Sequence, residues 1–105
     1  MLSFLKGIQN SVHAVELDNM LEEILLIDIR EPYEYAHGSI KRAKNIPMGQ
    51  LLAAPTKYLK KEKQYHIMCQ SGGRSMSAVN ALTKEGFNVV NVRGGYGSYQ
   101  GKNRC

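Results

Sequence analysis

The sequence is poor in groups that would staple, anchor or metallate it. Its 105 residues include two cysteines, Cys69 and Cys105, with no CxxC pair and no Cys/His pair at metal-ligand spacing. Two such cysteines make no disulfide framework. The three histidines, His13, His37 and His66, are scattered, so no metal site is expected. No apolar run approaches the roughly 20 residues that a membrane-spanning helix needs. The opening Met1-Leu2-Ser3-Phe4-Leu5-Lys6 has too short an apolar stretch, and no small-residue cleavage pattern, for a signal peptide. The expected location is therefore cytoplasmic, with no membrane partner. No nucleic-acid motif accompanies the basic residues.

What is present suits one soluble domain. A hydrophobic fraction of 43% is ordinary for a globular chain. A domain of this size buries about two-thirds of its unfolded surface, enough for a core without staples. The net charge of +5 is unevenly placed. Residues 1–40 carry two basic side chains against seven acidic ones, and residues 41–105 carry twelve against two. Only Lys60-Lys61-Glu62-Lys63 is clustered, so the basic half reads as a surface favouring small anions or an acidic partner, and nucleic acid is not expected.

Along the chain, residues 1–11 show no clear period and read as a loosely held arm, with the domain proper spanning 12–105. Val12–Val15 suggests a short edge strand. Leu17, Met20, Leu21 and Ile24 fall at i, i+3, i+4 and i+7, the spacing of a helical face. The apolar run 24–29 has strand length and the continuous hydrophobicity of a strand covered on both sides. Glu31–Ala36 then reads as a short helix, with Pro32 at its start and Gly38 past its end. Ile40 and Asn45-Ile46-Pro47 return extended, and Pro55 divides the helical spacing of residues 51–59. Tyr65–Met68 is a strand. Met76, Val79 and Leu82, with Ala78 and Ala81, predict one side of a helix that stops at Gly86 and is locked by Phe87. Residues 88–92 form another buried strand, and Tyr96–Tyr99 begins a last helical turn. Alternating strands and helices predict an α/β fold with a mostly parallel central sheet and helices on both faces. In such folds the carboxyl ends of the strands hold the ligand, and Asp28–Arg30, Cys69–Arg74 and Arg93–Gly95 all lie there.

The most informative stretch is Cys69-Gln70-Ser71-Gly72-Gly73-Arg74-Ser75, which joins a predicted strand to a predicted helix. Two glycines and small polar residues let the backbone curl around the sulfur, so that successive N–H groups form an anion-binding concavity. The helix N-terminus adds its unpaired N–H groups and partial positive charge. A cysteine held there should ionise near neutral pH, and the thiolate is the nucleophile.

These residues, in this order, resemble a single-domain rhodanese over roughly residues 12–101. The resemblance is carried by Leu26-Ile27-Asp28-Ile29-Arg30-Glu31-Pro32 with Tyr35, by His37-Gly38-Ser39-Ile40 leading through Ala43 to Asn45-Ile46-Pro47, by the cysteine loop, and by Gly94-Gly95-Tyr96. It implies a sulfurtransferase in which Cys69 takes the outer sulfur of an anionic donor such as thiosulfate. The resulting persulfide then passes that sulfur to a thiol, a cyanide-like acceptor or a protein, with no cofactor besides the persulfide itself. The N–H groups of Gln70 through Ser75 would hold the persulfide. Arg74 would either attract the donor and stabilise the departing sulfite or brace the loop by bonding its carbonyls. Asp28, Arg30 and Glu31 would support the loop as an ion-pair and capping network, with direct substrate contact by Arg30 as the alternative. His37 is expected to pack or cap a turn, and His66 to be a strand side chain. Tyr99 would supply an aromatic wall where many members of the family carry tryptophan. Cys105 reads as a frayed thiol or as a second thiol that resolves or receives sulfur.

The spacing separates the rival functions. Phosphatases of the same fold place five residues between nucleophile and arginine, and here four intervene, a tighter cup suited to one sulfur atom. The remaining alternative is a module without turnover of its own, carrying sulfur between proteins or sensing redox state.

Overall fold

The structure, a computed structural model, describes residues 10–105. Five parallel strands form one sheet: β1 (Ser11–His13), β2 (Leu26–Asp28), β3 (Lys44–Asn45), β4 (Gln64–Met68) and β5 (Asn88–Arg93), in the order β1-β5-β4-β2-β3. Four α-helices accompany them: α1 (Pro32–Ala36), α2 (Met48–Ala53), α3 (Pro55–Tyr58) and α4 (Gly73–Lys84). Most of the predicted arm, residues 1–9, lies outside the described residues. Its last residue, Ser11, already belongs to β1 and pairs with Asn91 of β5.

Alternation along the strands sorts the core into two layers. Ile27, Ile67 and Val89 face α2, α3 and α4, together with Leu51, Leu59, Val79, Leu82 and Phe87. Leu26, Met68 and Val92 face the other way, against Ala14, Leu17, Leu21, Ile40 and Tyr99. This period-2 division is why the central strands read as continuous apolar runs. Gly86 takes φ +93°, and the N–H of Phe87 reaches back to the Leu82 carbonyl at 3.1 Å, ending α4 as its sequence predicts.

Three expectations need correction. The helix predicted through Leu17–Ile24 is instead a pair of 3₁₀ turns, Ala14–Asn19 and Leu21–Glu23, broken at Met20. β1 and β2 stand three places apart in the sheet, so the link must cross roughly 14 Å. A 3₁₀ turn covers more distance per residue than an α-helix. Met76 is 54% exposed, and the buried stripe of α4 is Ser75, Ala78, Val79 and Leu82. A serine holds the position that apolar periodicity assigned to the methionine's side of the helix, because that position faces Cys69. Tyr99 is 1% exposed and packs in the core, its hydroxyl bonded to the Asp18 carboxylate, so it is no wall of a site.

Among the described residues no helix is long and apolar enough to cross a membrane. His66 is buried within β4, and its Nδ1 has no hydrogen-bond partner. Burial pushes its pKa below the ordinary 6.5. The unfolded chain therefore binds a proton at a pH where the fold does not, so stability falls as pH drops below about 6.5. Denaturant titrations from about pH 7 to about pH 5 should show a shallower loss for His66→Leu than for the parent. Parallel losses in the two chains would acquit this histidine.

Candidate active site

β4 ends at Met68 and delivers Cys69 to the carboxyl edge of the sheet, between the ends of β2 and β5. The chain then turns through Gly72, whose φ of +102° favours glycine, into α4. Gly72 is the N-cap of α4 and has no side chain with which to cap it. The Cys69 sulfur takes that role. It accepts the N–H of Ser75, the third helical residue, at 3.3 Å and the N–H of Gly72 at 3.1 Å. The N–H of Ser71 also acts on it, and the Ser75 hydroxyl lies 3.3 Å away.

These contacts compete with burial, for Cys69 is 1% exposed. Burial alone would push the thiol up. The Ser75 hydroxyl and the three N–H groups together outweigh it, and the net shift is downward. The donors around the sulfur are thus backbone N–H groups and one hydroxyl, all supplied by the folded chain itself.

The loop is held on both sides. At the β5 side, Tyr96 N–H donates to the Cys69 carbonyl and Gly97 N–H to the Gln70 carbonyl, each at 2.9 Å. Gly95, at φ +61°, passes so close that a first side-chain carbon there would sit 2.6 Å from the Gln70 carbonyl oxygen. Only glycine fits. At the β2 side, Arg30 is bonded to Asp28 through Nε and Nη2, at 2.9 and 2.7 Å. The same guanidinium donates to the Gln70 side chain at 3.1 Å and to the Gly38 carbonyl at 2.7 Å. Asp28 also accepts the Ser39 hydroxyl at 2.8 Å.

Arg74 does not bond loop carbonyls. Both of its terminal nitrogens bond the Glu34 carboxylate, at 3.0 and 3.1 Å, raising the arginine's pKa and holding Glu34 below the usual carboxylate range. Glu34 also closes the capping box of α1 with Glu31. The N–H groups nearest the sulfur belong to Ser71, Gly72 and Ser75. Those of Gln70, Gly73 and Arg74 are not among its partners.

Beside the loop opens a cavity of about 410 Å³, lined by Arg30, Tyr33, Glu34, His37, Gly38, Gln70 and Tyr96. Of its two tyrosines, Tyr96 has its ring centroid 4.6 Å from the Arg30 guanidinium. His37 sits on the rim with Nδ1 2.7 Å from the Tyr33 carbonyl. Cys105 is exposed, and its backbone pairs with Ser39 through two hydrogen bonds of 3.4 and 3.1 Å. Sequence reasoning missed Glu34 and Asn91 as neighbours of the loop. The capping-box pattern Glu31-Pro32-Tyr33-Glu34 could have flagged the first, while a buried polar residue inside an apolar strand was the only trace of the second.

The known proteins most informative about this arrangement agree with one another. The sequence profile of the rhodanese-like domain matches residues 13–102. YtwF of Bacillus subtilis (strain 168), named provisionally as a sulfurtransferase, is 42% identical over 85 residues, which cover 79% of this chain and 80% of YtwF. A protein of Allochromatium vinosum named as a sulfurtransferase is 40% identical over 70% of this chain and 69% of its own length. Among solved structures, a rhodanese-related protein from Thermoplasma volcanium superposes with a TM-score of 0.78 at 37% identity, covering 86% of this chain and 89% of its own.

Two outcomes follow from the geometry. Arg30→Ala would strand the buried Asp28 carboxylate and should cost about 3–5 kcal/mol in urea unfolding. A loss below about 1 kcal/mol would mean that the pair is not what secures the loop. Iodoacetamide should alkylate Cys69 with a pH midpoint below that of an ordinary thiol. Ser75→Ala, lacking the hydroxyl, should move that midpoint upward, and an unchanged midpoint would remove Ser75 from the account.

Proposed function

The chain belongs to the rhodanese-like domain family, and from that premise we propose that Cys69 is the nucleophile and carrier of a sulfurtransferase. The Cys69 thiolate attacks the outer sulfur of an anionic sulfane donor such as thiosulfate. A new sulfur–sulfur bond forms, the bond to the sulfonate sulfur breaks, and sulfite leaves with that electron pair. A thiophilic acceptor (a thiol, a cyanide-like anion or a protein) then attacks the outer sulfur and returns the thiolate. The sulfur travels on the cysteine itself, as a covalent persulfide, so the chemistry calls for no separate cofactor. A reducing compartment such as the cytoplasm would keep the thiol available.

The observation that carries this reading is the sulfur seated at the N-terminus of α4, within hydrogen-bond distance of the Gly72 and Ser75 N–H groups. No neighbouring base is needed when the pocket lowers the thiol's pKa. The backbone of Ser71 through Ser75 can shift its donors from the thiolate to the outer persulfide sulfur, with Gln70 and Gly73 completing the turn.

A second reading draws on Arg74. The loop's one cationic side chain is already paired with Glu34, which weakens recruitment of a doubly charged donor. Under that reading the domain is a sulfur carrier or redox-sensing module loaded and unloaded by protein partners. A relative from Bacillus subtilis named provisionally as a sulfur carrier, YrkF, is 33% identical to this chain.

Incubation with thiosulfate followed by intact mass spectrometry separates the outcomes. The protein should gain one reducible sulfur atom, and Cys69→Ala should gain none. Absence of any adduct with every sulfane donor tried would sink the sulfurtransferase reading. Loading without turnover, together with a partner complex that survives Cys69→Ser, would favour the carrier.

A further inference from the structure

Ser75 has one hydroxyl proton and three acceptors within reach. The Cys69 sulfur lies at 3.3 Å, the Gly72 carbonyl oxygen at 3.2 Å and the side-chain oxygen of Asn91 at 2.5 Å. Ser75 is fully buried on α4, and Asn91 is 4% exposed in β5, in register with Ile67 of β4 and Ser11 of β1. A buried amide set among Val89, Val90 and Val92 of β5 needs a polar partner, and Ser75 is that partner. The shortest of the three contacts is the one that draws the proton away from sulfur.

We propose that Asn91 is a positioning residue that divides the Ser75 proton between itself and Cys69, and so sets how strongly the cradle holds the sulfur as an anion. The inference rests on Cys69 being the reactive sulfur. With its carbonyl oxygen toward Ser75, Asn91 competes for the proton, and the hydroxyl donates to sulfur only part of the time. With the amide rotated by half a turn, the NH₂ group donates to the Ser75 oxygen, and the hydroxyl is free to donate to sulfur. Asn91 lines a cavity of about 320 Å³ with Asn10, Ser11, Met76 and Thr83, so the amide has open space beside it for that rotation. No bond is made or broken in the exchange, and only hydrogen bonds are reassigned.

The charged groups around the loop leave this division to the amide. Arg74 from α4 is bonded to Glu34 of α1, and Arg30 at the end of β2 is bonded to Asp28. Arg93, at the end of β5, bonds the Ser11 hydroxyl at 3.5 Å. Among the described residues none of these groups is hydrogen-bonded to Ser75 or Asn91.

The pH dependence of Cys69 alkylation tests the assignment. Asn91→Ala removes the competing acceptor and should move the midpoint down. Asn91→Asp can only accept, and adds charge, so it should move the midpoint up. A residue that merely filled space would shift both variants the same way, and that outcome would overturn the proposal. In a Ser75→Ala background Asn91→Ala should have no effect on the midpoint. A shift of the same size there would show that Asn91 acts by another route. Should Asn91→Asp fail to fold, as judged by circular dichroism, the Asn91→Ala midpoint with and without Ser75 decides the matter by itself. Failure of the sulfur-transfer reading would appear separately, as no persulfide on an otherwise reactive Cys69.

Discussion

The Asp28–Arg30 ion pair is the constraint on which the site's architecture depends. Both side chains are buried, and a buried charge is tolerable only when its partners are complete. Here they are. Asp28 accepts from the Arg30 main chain, from its guanidinium and from Ser39, while Arg30 spends its other donors on Gly38 and Gln70. The Asn45 side chain closes the circuit by donating to the carbonyls of Asp28 and Arg30, at 2.9 and 3.0 Å. The network thereby fixes the end of β2, the turn after α1, the end of β3 and the Gln70 side chain of the cysteine loop. The arrangement is rigid because separating the pair would leave a buried charge uncompensated.

That rigidity matters because the cradle works by pre-alignment. An N–H group stabilises an anion well only if it already points at it, since reorienting a dipole costs much of what the interaction gains. Sulfur acting as the cap of α4 combines two needs. The first turn of the helix requires an acceptor, and the thiolate requires donors. The close passage of Gly95 against the Gln70 backbone completes the enclosure from the β5 side and leaves the loop little room to breathe.

Much of this was legible in the sequence, and the parts that were not share a cause. The parallel sheet, the capped stop at Gly86 and the convergence of three strand ends on Cys69 follow from local patterns, namely continuous apolar runs, glycine at positive φ and small residues after a cysteine. The misreadings concern residues whose partners are distant in the chain. Met76 fits an apolar stripe as well as Ser75 does not, until Cys69 and Asn91 are seen on that side of α4. Leu17 through Ile24 has helical spacing, but the distance to be crossed between β1 and β2 selects a more extended turn. Arg74 reads either as a cation for the donor or as a brace on loop carbonyls because its actual partner, Glu34, stands forty residues away. Tyr99 reads as a wall because its bond to Asp18 spans most of the chain.

The pairing of Arg74 changes what kind of selectivity the cup can exercise. A free guanidinium would reward negative charge at the mouth, whatever the size of the group carrying it. With Arg30 and Arg74 each neutralised by a carboxylate, attraction at the sulfur falls to short-range N–H dipoles. Their reach is about one hydrogen bond, so they reward an atom only if it sits inside the turn. Four residues between Cys69 and Arg74 give a turn whose donors close on the cysteine sulfur itself. Selection then rests on size and seating more than on charge. A single extra sulfur atom, attached to the one already held, is the smallest change such a cup has to accommodate.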